Sequence, residues 1–141
     1  MIIKIGKLNE EIILAYFTKE KIIEDSIQLK KRVAKLADKA TFVTASINSQ
    51  IVGMIGFYMN NKPLCYITHV SVNAAYRRQG IASEMFSYLE SYAVSQEFDL
   101  MRLEVDKLNI IAIEAYKKNG YSIVSENANS GYYMEKQLGF L

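Results

Sequence analysis

Cysteine, histidine and proline each occur once in these 141 residues, as Cys65, His69 and Pro63. A single cysteine excludes an internal disulfide and a cysteine-rich metal site. A single histidine argues against a zinc hydrolase and against a Ser-His-Asp triad. Charge of one sign is scarce too: 17 Lys and Arg against 15 Asp and Glu leave a net charge of +2. Nucleic-acid partners call for strongly basic stripes, and none is present. Long apolar runs are also missing. The longest, Ile51 to Met59, is far short of the ~18 residues that a membrane helix needs. The chain begins Ile2, Ile3, Lys4 and is charged by Glu10, so no secretory apolar segment is read there. What is present is an ordinary soluble balance, 50% apolar and 23% charged. The expectation is one cytoplasmic domain over residues 1–141, long enough to bury a real core.

Taken in order, Ile2 to Ile5 reads as a strand closed by Gly6. Residues 9–39 hold no Pro or Gly and read as two helices broken near Thr18, with Thr18, Lys19, Glu20 and Lys21 as the cap region. Ile22, Leu29, Val33 and Leu36 fall on one face there, and Lys30, Lys31, Arg32 and Lys35 on a solvated one. Thr41–Ala45 and Ile51–Tyr58 flank Asn48-Ser49-Gln50 as a hairpin. Asn60 to Pro63 is a turn. Leu64–Val72 is a buried strand, and a helix follows from Gly80 to about Ser95 with Met85, Phe86, Leu89, Tyr92 and Ala93 facing inward. Leu100–Val105 is a second buried strand, and a strand-helix-strand crossover of this length implies parallel pairing. A helix over 109–118, ended by Asn119-Gly120, and strands 121–124 and 132–136 across the Asn127–Gly131 turn complete an α/β chain with a mixed sheet.

The stretch Val70-Ser71-Val72-Asn73-Ala74-Ala75-Tyr76-Arg77-Arg78-Gln79-Gly80-Ile81-Ala82 joins a strand to a helix through two arginines and a glycine. The first helical turn leaves backbone N–H groups unpaired at the positive end of the helix dipole. Such a turn suits a phosphate or pyrophosphate, and Gly80 lets an anion reach the backbone. A Walker loop and G-x-G-x-x-G are both absent. The string resembles the pyrophosphate motif of the GNAT superfamily of acyl-CoA-dependent N-acyltransferases, R/Q-x-x-G-x-G/A, at Arg77, Gly80 and Ala82. A second block, Leu103-Glu104-Val105-x-x-x-Asn109-x-x-Ala112-x-x-x-Tyr116-x-x-x-Gly120-Tyr121, resembles that family's L-x-V-x-x-x-N-x-x-A-x-x-x-Y-x-x-x-G-F. The two blocks cover residues 64–121 in the family's order and spacing. Ala74 stands where the family often has proline, Ala82 where Gly is commoner, and Tyr121 where Phe is; none removes a group that the chemistry needs.

The resemblance implies a GNAT-like, mostly antiparallel sheet with one central parallel pair and helices on both faces. It implies acetyl-CoA as co-substrate, with the thioester lying between two parallel strands that splay apart, and no metal. Val70, Val72, Arg77, Arg78, Gln79, Gly80, Ile81, Ala82, Ser83 and Asn109 would hold the CoA, with the N–H at or near Val70 polarising the thioester carbonyl. Tyr116 would protonate the departing sulfur, because a tyrosine, with its pKa near 10, keeps a proton that it can pass to a thiolate. Glu104 is the candidate base, in a cleft that could raise its pKa; His69, one residue before Val70, is the rival. His69 and Tyr58 are also acceptor-site candidates. Plainer readings stand beside these: Tyr116 as a core aromatic, Asn109 as an N-cap, Glu104 as a solvent-facing strand residue, His69 as a satisfied strand histidine. Cys65 reads as apolar filler, and the tyrosines at 58, 66, 132 and 133 as sheet residues of which one or two line an acceptor pocket. The implied reaction is N-acetylation of a primary amine on a small molecule by direct attack in a ternary complex. The alternatives are a protein N-terminal or lysine acetyltransferase, hinted at by Leu103-Glu104-Val105, and a non-catalytic CoA module. No nucleic acid or membrane partner is expected, and a homodimer is compatible with the family.

Overall fold

Residues 1–22 and 25–139 are described by the structure, a computed structural model. Runs of β-branched and aromatic residues form strands β1 (Ile2–Gly6), β2 (Thr41–Ile47), β3 (Gln50–Asn61), β4 (Leu64–Val72), β5 (Leu100–Asp106), β6 (Ser122–Glu126) and β7 (Gly131–Gln137). Amphipathic segments form helices α1 (Glu10–Lys19), α2 (Ser26–Lys39), α3 (Ile81–Ser95) and α4 (Ile110–Lys118). The strands make one sheet in the order β1-β2-β3-β4-β5-β7-β6. Every neighbouring pair is antiparallel except β4 and β5, which α3 joins in parallel. The mixed sheet with one parallel pair is therefore as expected.

Strand alternation divides the side chains between two cores. Val43, Ile55, Phe57, Cys65, Ile67, Met101, Leu103, Val105 and Met134 face α3, whose Met85, Phe86, Leu89 and Ala93 they bury. Ile113 of α4 and Tyr121 belong to the same cluster. Phe42 and Met54 point the other way, against Ile13, Tyr16 and Phe17 of α1 and Val33 and Leu36 of α2. Helices thus lie on both faces. Leu89 is fully buried in the first core. Leu89→Ala is expected to cost about 2–5 kcal/mol, read as a lower denaturant midpoint with unchanged slope.

Several boundaries differ from the expectation. The hairpin strands run further, to Ile47 and from Gln50 to Asn61, because Asn48 and Ser49 both take positive φ and close a two-residue turn. The α1–α2 break is displaced: α1 runs through Thr18 to Lys19, and α2 is capped by Asp25, whose Oδ1 accepts the N–H groups of Ile27 and Gln28, both at 3.0 Å. Ile23 and Glu24, part of the stretch read as helix, lie outside the described residues. β6 begins at Ser122, leaving Tyr121 buried in the core rather than in the strand. Among the described residues no helix is long and apolar enough to cross a membrane.

Candidate active site

The parallel pair comes apart partway along. Its register runs from Leu64↔Leu100 to Ile67↔Leu103 and stops there, although β4 continues to Val72 and β5 to Asp106. On their outer sides both strands stay paired, β4 with β3 to Val72 and β5 with β7 to Asp106. The register of β3 with β4 shifts from Gly56↔His69 to Phe57↔Ile67, so Thr68 is an extra residue in β4. A bulge bends and twists its strand, and here it coincides with the parting.

The backbone facing that gap follows from the register. Asn73 N–H donates to Val52 O at 2.7 Å, which makes Asn73, Ser71 and His69 the residues bonded to β3. By antiparallel alternation, Val70 and Val72 turn their peptide groups away from β3, toward the gap. The Arg77 guanidinium agrees with this, its Nε donating to Val72 O at 3.2 Å. Arg77 is therefore tied to the end of β4 through one donor, while Arg78 and Gln79 are exposed.

Beyond β4 the chain passes Asn73, whose Oδ1 caps a short 3-10 turn, and reaches α3 through Arg78 at φ 64° and Gly80 at φ 80°. A side chain at Gly80 would meet nothing within 4 Å, so the restriction there is conformational and the space before the helix is open. Helices α1, α2 and α4 begin with a side-chain cap from Asn9, Asp25 and Asn109; α3 has none. The N–H groups of Ile81, Ala82 and Ser83 thus point from the start of a 15-residue helix with no side chain of the described residues to accept them. The sequence analysis expected a pyrophosphate at this helix end, and the uncapped turn presents backbone donors of the kind that such a group accepts.

Tyr116 approaches from α4, partly buried, its ring edge-on to Phe86 of α3 at 6.0 Å between centroids. Burial holds its hydroxyl above the usual tyrosine range, so it keeps its proton at neutral pH. Asn109 serves as N-cap of α4, its Oδ1 accepting Ala112 N–H at 3.2 Å, which leaves its Nδ2 donors uncommitted among the described residues. Cys65 is fully buried, and burial pushes its thiol up to about 12, which removes it as a nucleophile.

Glu104 and His69 lie on the opposite face, with α1 and α2. Leu103 and Val105 are buried toward α3 while Glu104 is exposed, as strand alternation required. Exposure departs from the deep cleft expected for it. Its Oε2 accepts from Asn127 Nδ2, across the β6–β7 hairpin. Tyr133 is its cross-strand partner on β7, and Tyr66 lies next to it on β4, with Tyr58 beyond on β3. Of the four tyrosines named from the sequence, Tyr58, Tyr66 and Tyr133 therefore share the sheet face of Glu104, whereas Tyr132 packs with the α3 cluster.

His69 is held at both nitrogens. Arg32 of α2 can only donate, so Nδ1 accepts from its Nη2 at 3.3 Å and the proton sits on Nε2, which donates to Ser71 Oγ at 2.8 Å. Ser71 Oγ also pairs with Tyr16 of α1 at 2.8 Å, and the imidazole packs on Phe17 at 4.9 Å. Burial, then the Arg32 charge, depresses the His69 pKa to about 4, so the ring is neutral. A group whose folded pKa lies below its unfolded value of about 6.5 costs stability as pH falls, because the unfolded chain takes up the proton first. The chain has one histidine. Unfolding free energy should therefore drop by about 2 kcal/mol between pH 6.5 and 5. His69→Gln should flatten that fall in a chemical-denaturation series over the same range.

A mixed sheet parted between its one parallel pair, with a bare helix end at the rim, is the acyltransferase arrangement implied by the two sequence blocks. Comparison with known proteins agrees, and the chain belongs to the Acetyltransferase (GNAT) family, whose profile matches residues 8–121. The streptothricin acetyltransferase of Escherichia coli is 28% identical over 79 residues, covering 56% of this chain and 45% of that protein. The chain thus matches less than half the length of this relative. Among solved structures, an aminoglycoside 6'-acetyltransferase type Ii superposes with a TM-score of 0.82 at 21% identity, over 100% of this chain and 99% of the other. The PaiA N-acetyltransferase of Thermoplasma acidophilum, in complex with coenzyme A, gives 0.75 at 18% identity, over 97% and 99%. At those identities the likeness is one of fold.

Proposed function

We propose that this chain moves an acetyl group from acetyl-CoA to a primary amine of a small molecule, by direct attack in a ternary complex. The observation that carries this reading is the gap between β4 and β5, with the peptide groups of Val70 and Val72 turned into it and the uncapped end of α3 following β4. Ile81, Ala82 and Ser83 hold the pyrophosphate through backbone N–H groups, with Gly80 leaving it room and Arg77, Arg78 and Gln79 beside it. Asn109 offers its free Nδ2 donors to the pantetheine arm.

Tyr116 and Glu104 belong to opposite faces of the sheet, so donor and acceptor meet at the gap. Glu104 takes a proton from the incoming ammonium, and the freed electron pair forms the N–C bond at the thioester carbonyl. The N–H of Val70 stabilises the charge gathering on the carbonyl oxygen. As the C–S bond breaks, Tyr116 gives its proton to sulfur and recovers the second proton that the amine sheds. One proton is released to water, through exposed Glu104. His69, engaged at both nitrogens, is not the base in this scheme; it and Tyr58 border the acceptor side. Small-molecule acceptance is supported by the match to a streptothricin acetyltransferase.

The test is acetyl-CoA incubated with nucleotide amino sugars, amino acids, polyamines, aminoglycosides and short peptides, read by product mass. One added acetyl group on a small amine is the expected result. Modification confined to the peptides would replace the acceptor class, and silence with CoA bound would leave a non-catalytic CoA module.

A further inference from the structure

The hairpin between β6 and β7 holds one side chain in a manner that a turn does not require. Asn127 Oδ1 accepts two backbone N–H groups, from Asn129 at 2.8 Å and Gly131 at 2.9 Å, while Asn127 N–H donates to Gly131 O at 2.9 Å. With the oxygen so engaged, the amide can face only one way, and its NH2 is presented outward. That NH2 donates to Glu104 Oε2, a contact spanning 23 positions of chain. Gly131 makes room for it: a Cβ there would fall 2.6 Å from Asn127 Nδ2 and 3.0 Å from Val105 O. Among the described residues Glu104 Oε1 has no partner. An exposed glutamate would otherwise sample several rotamers, and fixing one is part of assembling a reactive geometry.

We propose that Asn127 is a positioning residue, which pins Oε2 of Glu104 so that Oε1 faces the acceptor amine. This rests on Glu104 being the base. Asn127 does not touch the substrate; it acts through Glu104, from an amide whose orientation the hairpin sets.

Asn127→Asp separates the two duties of the side chain. A carboxylate oxygen accepts the same two backbone N–H groups, so the turn keeps its bonds, but the donor to Glu104 becomes an acceptor. Asn127→Ser, which retains a turn-forming oxygen and adds no charge, is the second variant. Thiol release is followed with the fastest-reacting amine of the panel above, in Asn127→Asp, Asn127→Ser, Glu104→Gln and the Asn127→Asp/Glu104→Gln double variant. Glu104→Gln should lose at least about tenfold in kcat. Both Asn127 variants should lose kcat with KM for acetyl-CoA within about twofold, and Asn127→Asp should add nothing in the Glu104→Gln background.

Carbon-13 titration of the Glu104 carboxyl needs no acceptor. The titratable and charged groups on its face are Arg102 and Asp106 on β5, Tyr66 on β4, and Tyr133 and Glu135 on β7. All are common to both proteins, so a midpoint raised by about half a unit or more in Asn127→Asp reports on position 127 alone. An unchanged midpoint, or kinetics equal to those of the unsubstituted protein, overturns the positioning role while a depressed Glu104→Gln leaves the base intact. An equal loss from Asn127→Asp with or without Glu104 also overturns it, as a purely structural effect. A fully active Glu104→Gln overturns the base, and this inference with it.

Discussion

Tyr116→Phe is expected to lower the rate of acetyl transfer by roughly a hundredfold or more, the span that a lost general acid commands, while acetyl-CoA binds as before. The structure makes this substitution clean. The hydroxyl makes no hydrogen bond among the described residues, and the ring keeps its edge-on contact with Phe86. Removing a partly buried hydroxyl that has no protein partner among the described residues should leave stability unchanged or slightly raised. Any fall in rate therefore reports on the missing proton, because nothing structural depended on it. Steady-state kinetics with calorimetric titration of CoA would separate rate from affinity. Full activity in Tyr116→Phe would remove the tyrosine from the chemistry and leave it a core aromatic.

Ser83→Asp should act in the opposite manner, on binding. Ser83 is exposed in the first turn of α3, where a carboxylate complements the helix dipole and typically adds about 0.3–1 kcal/mol. The folded protein should melt at the same temperature or slightly higher. The same charge would stand where a pyrophosphate is proposed to sit, and like charges repel strongly where water is partly excluded. CoA affinity should fall about 10–100-fold, equivalent to roughly 1.4–3 kcal/mol. A more stable protein that no longer binds CoA would show that α3 is left uncapped for its ligand. Unchanged affinity would place the pyrophosphate elsewhere.

What could be read in the sequence was what neighbours along the chain decide. The β4–turn–α3 and β5–α4 units are each local, and the Asn109 cap with Gly120 at φ 95° bounds α4 where the pattern said. Glu104 pointed away from Leu103 and Val105 for the same reason, a period of two. What depends on distant pairing was not legible. The gap opens where pairing is lost after Ile67 and Leu103, beside the bulge at Thr68, and both are properties of three strands together. The exposure of Glu104 depends on how much of that sheet face α1 and α2 leave open. The sequence left His69 between rival base and satisfied strand histidine, because its partners Arg32 and Phe17 come from α2 and α1, and Ser71 beside it is held in turn by Tyr16. Asn127 resembled any turn asparagine until β5 supplied Glu104. The displaced start of α2 is a competition between local caps, in which Asp25 prevails over Thr18 by engaging two N–H groups with one oxygen.

The central claim is that the parted β4–β5 pair is where an amine takes acetyl from acetyl-CoA. Its most direct test is the rate of thiol release from acetyl-CoA with and without the amine panel, in the unsubstituted protein and in Tyr116→Phe. The account predicts release that depends on one class of small amine and largely disappears in Tyr116→Phe. Release that ignores the amine, or that survives undiminished in Tyr116→Phe, would contradict it.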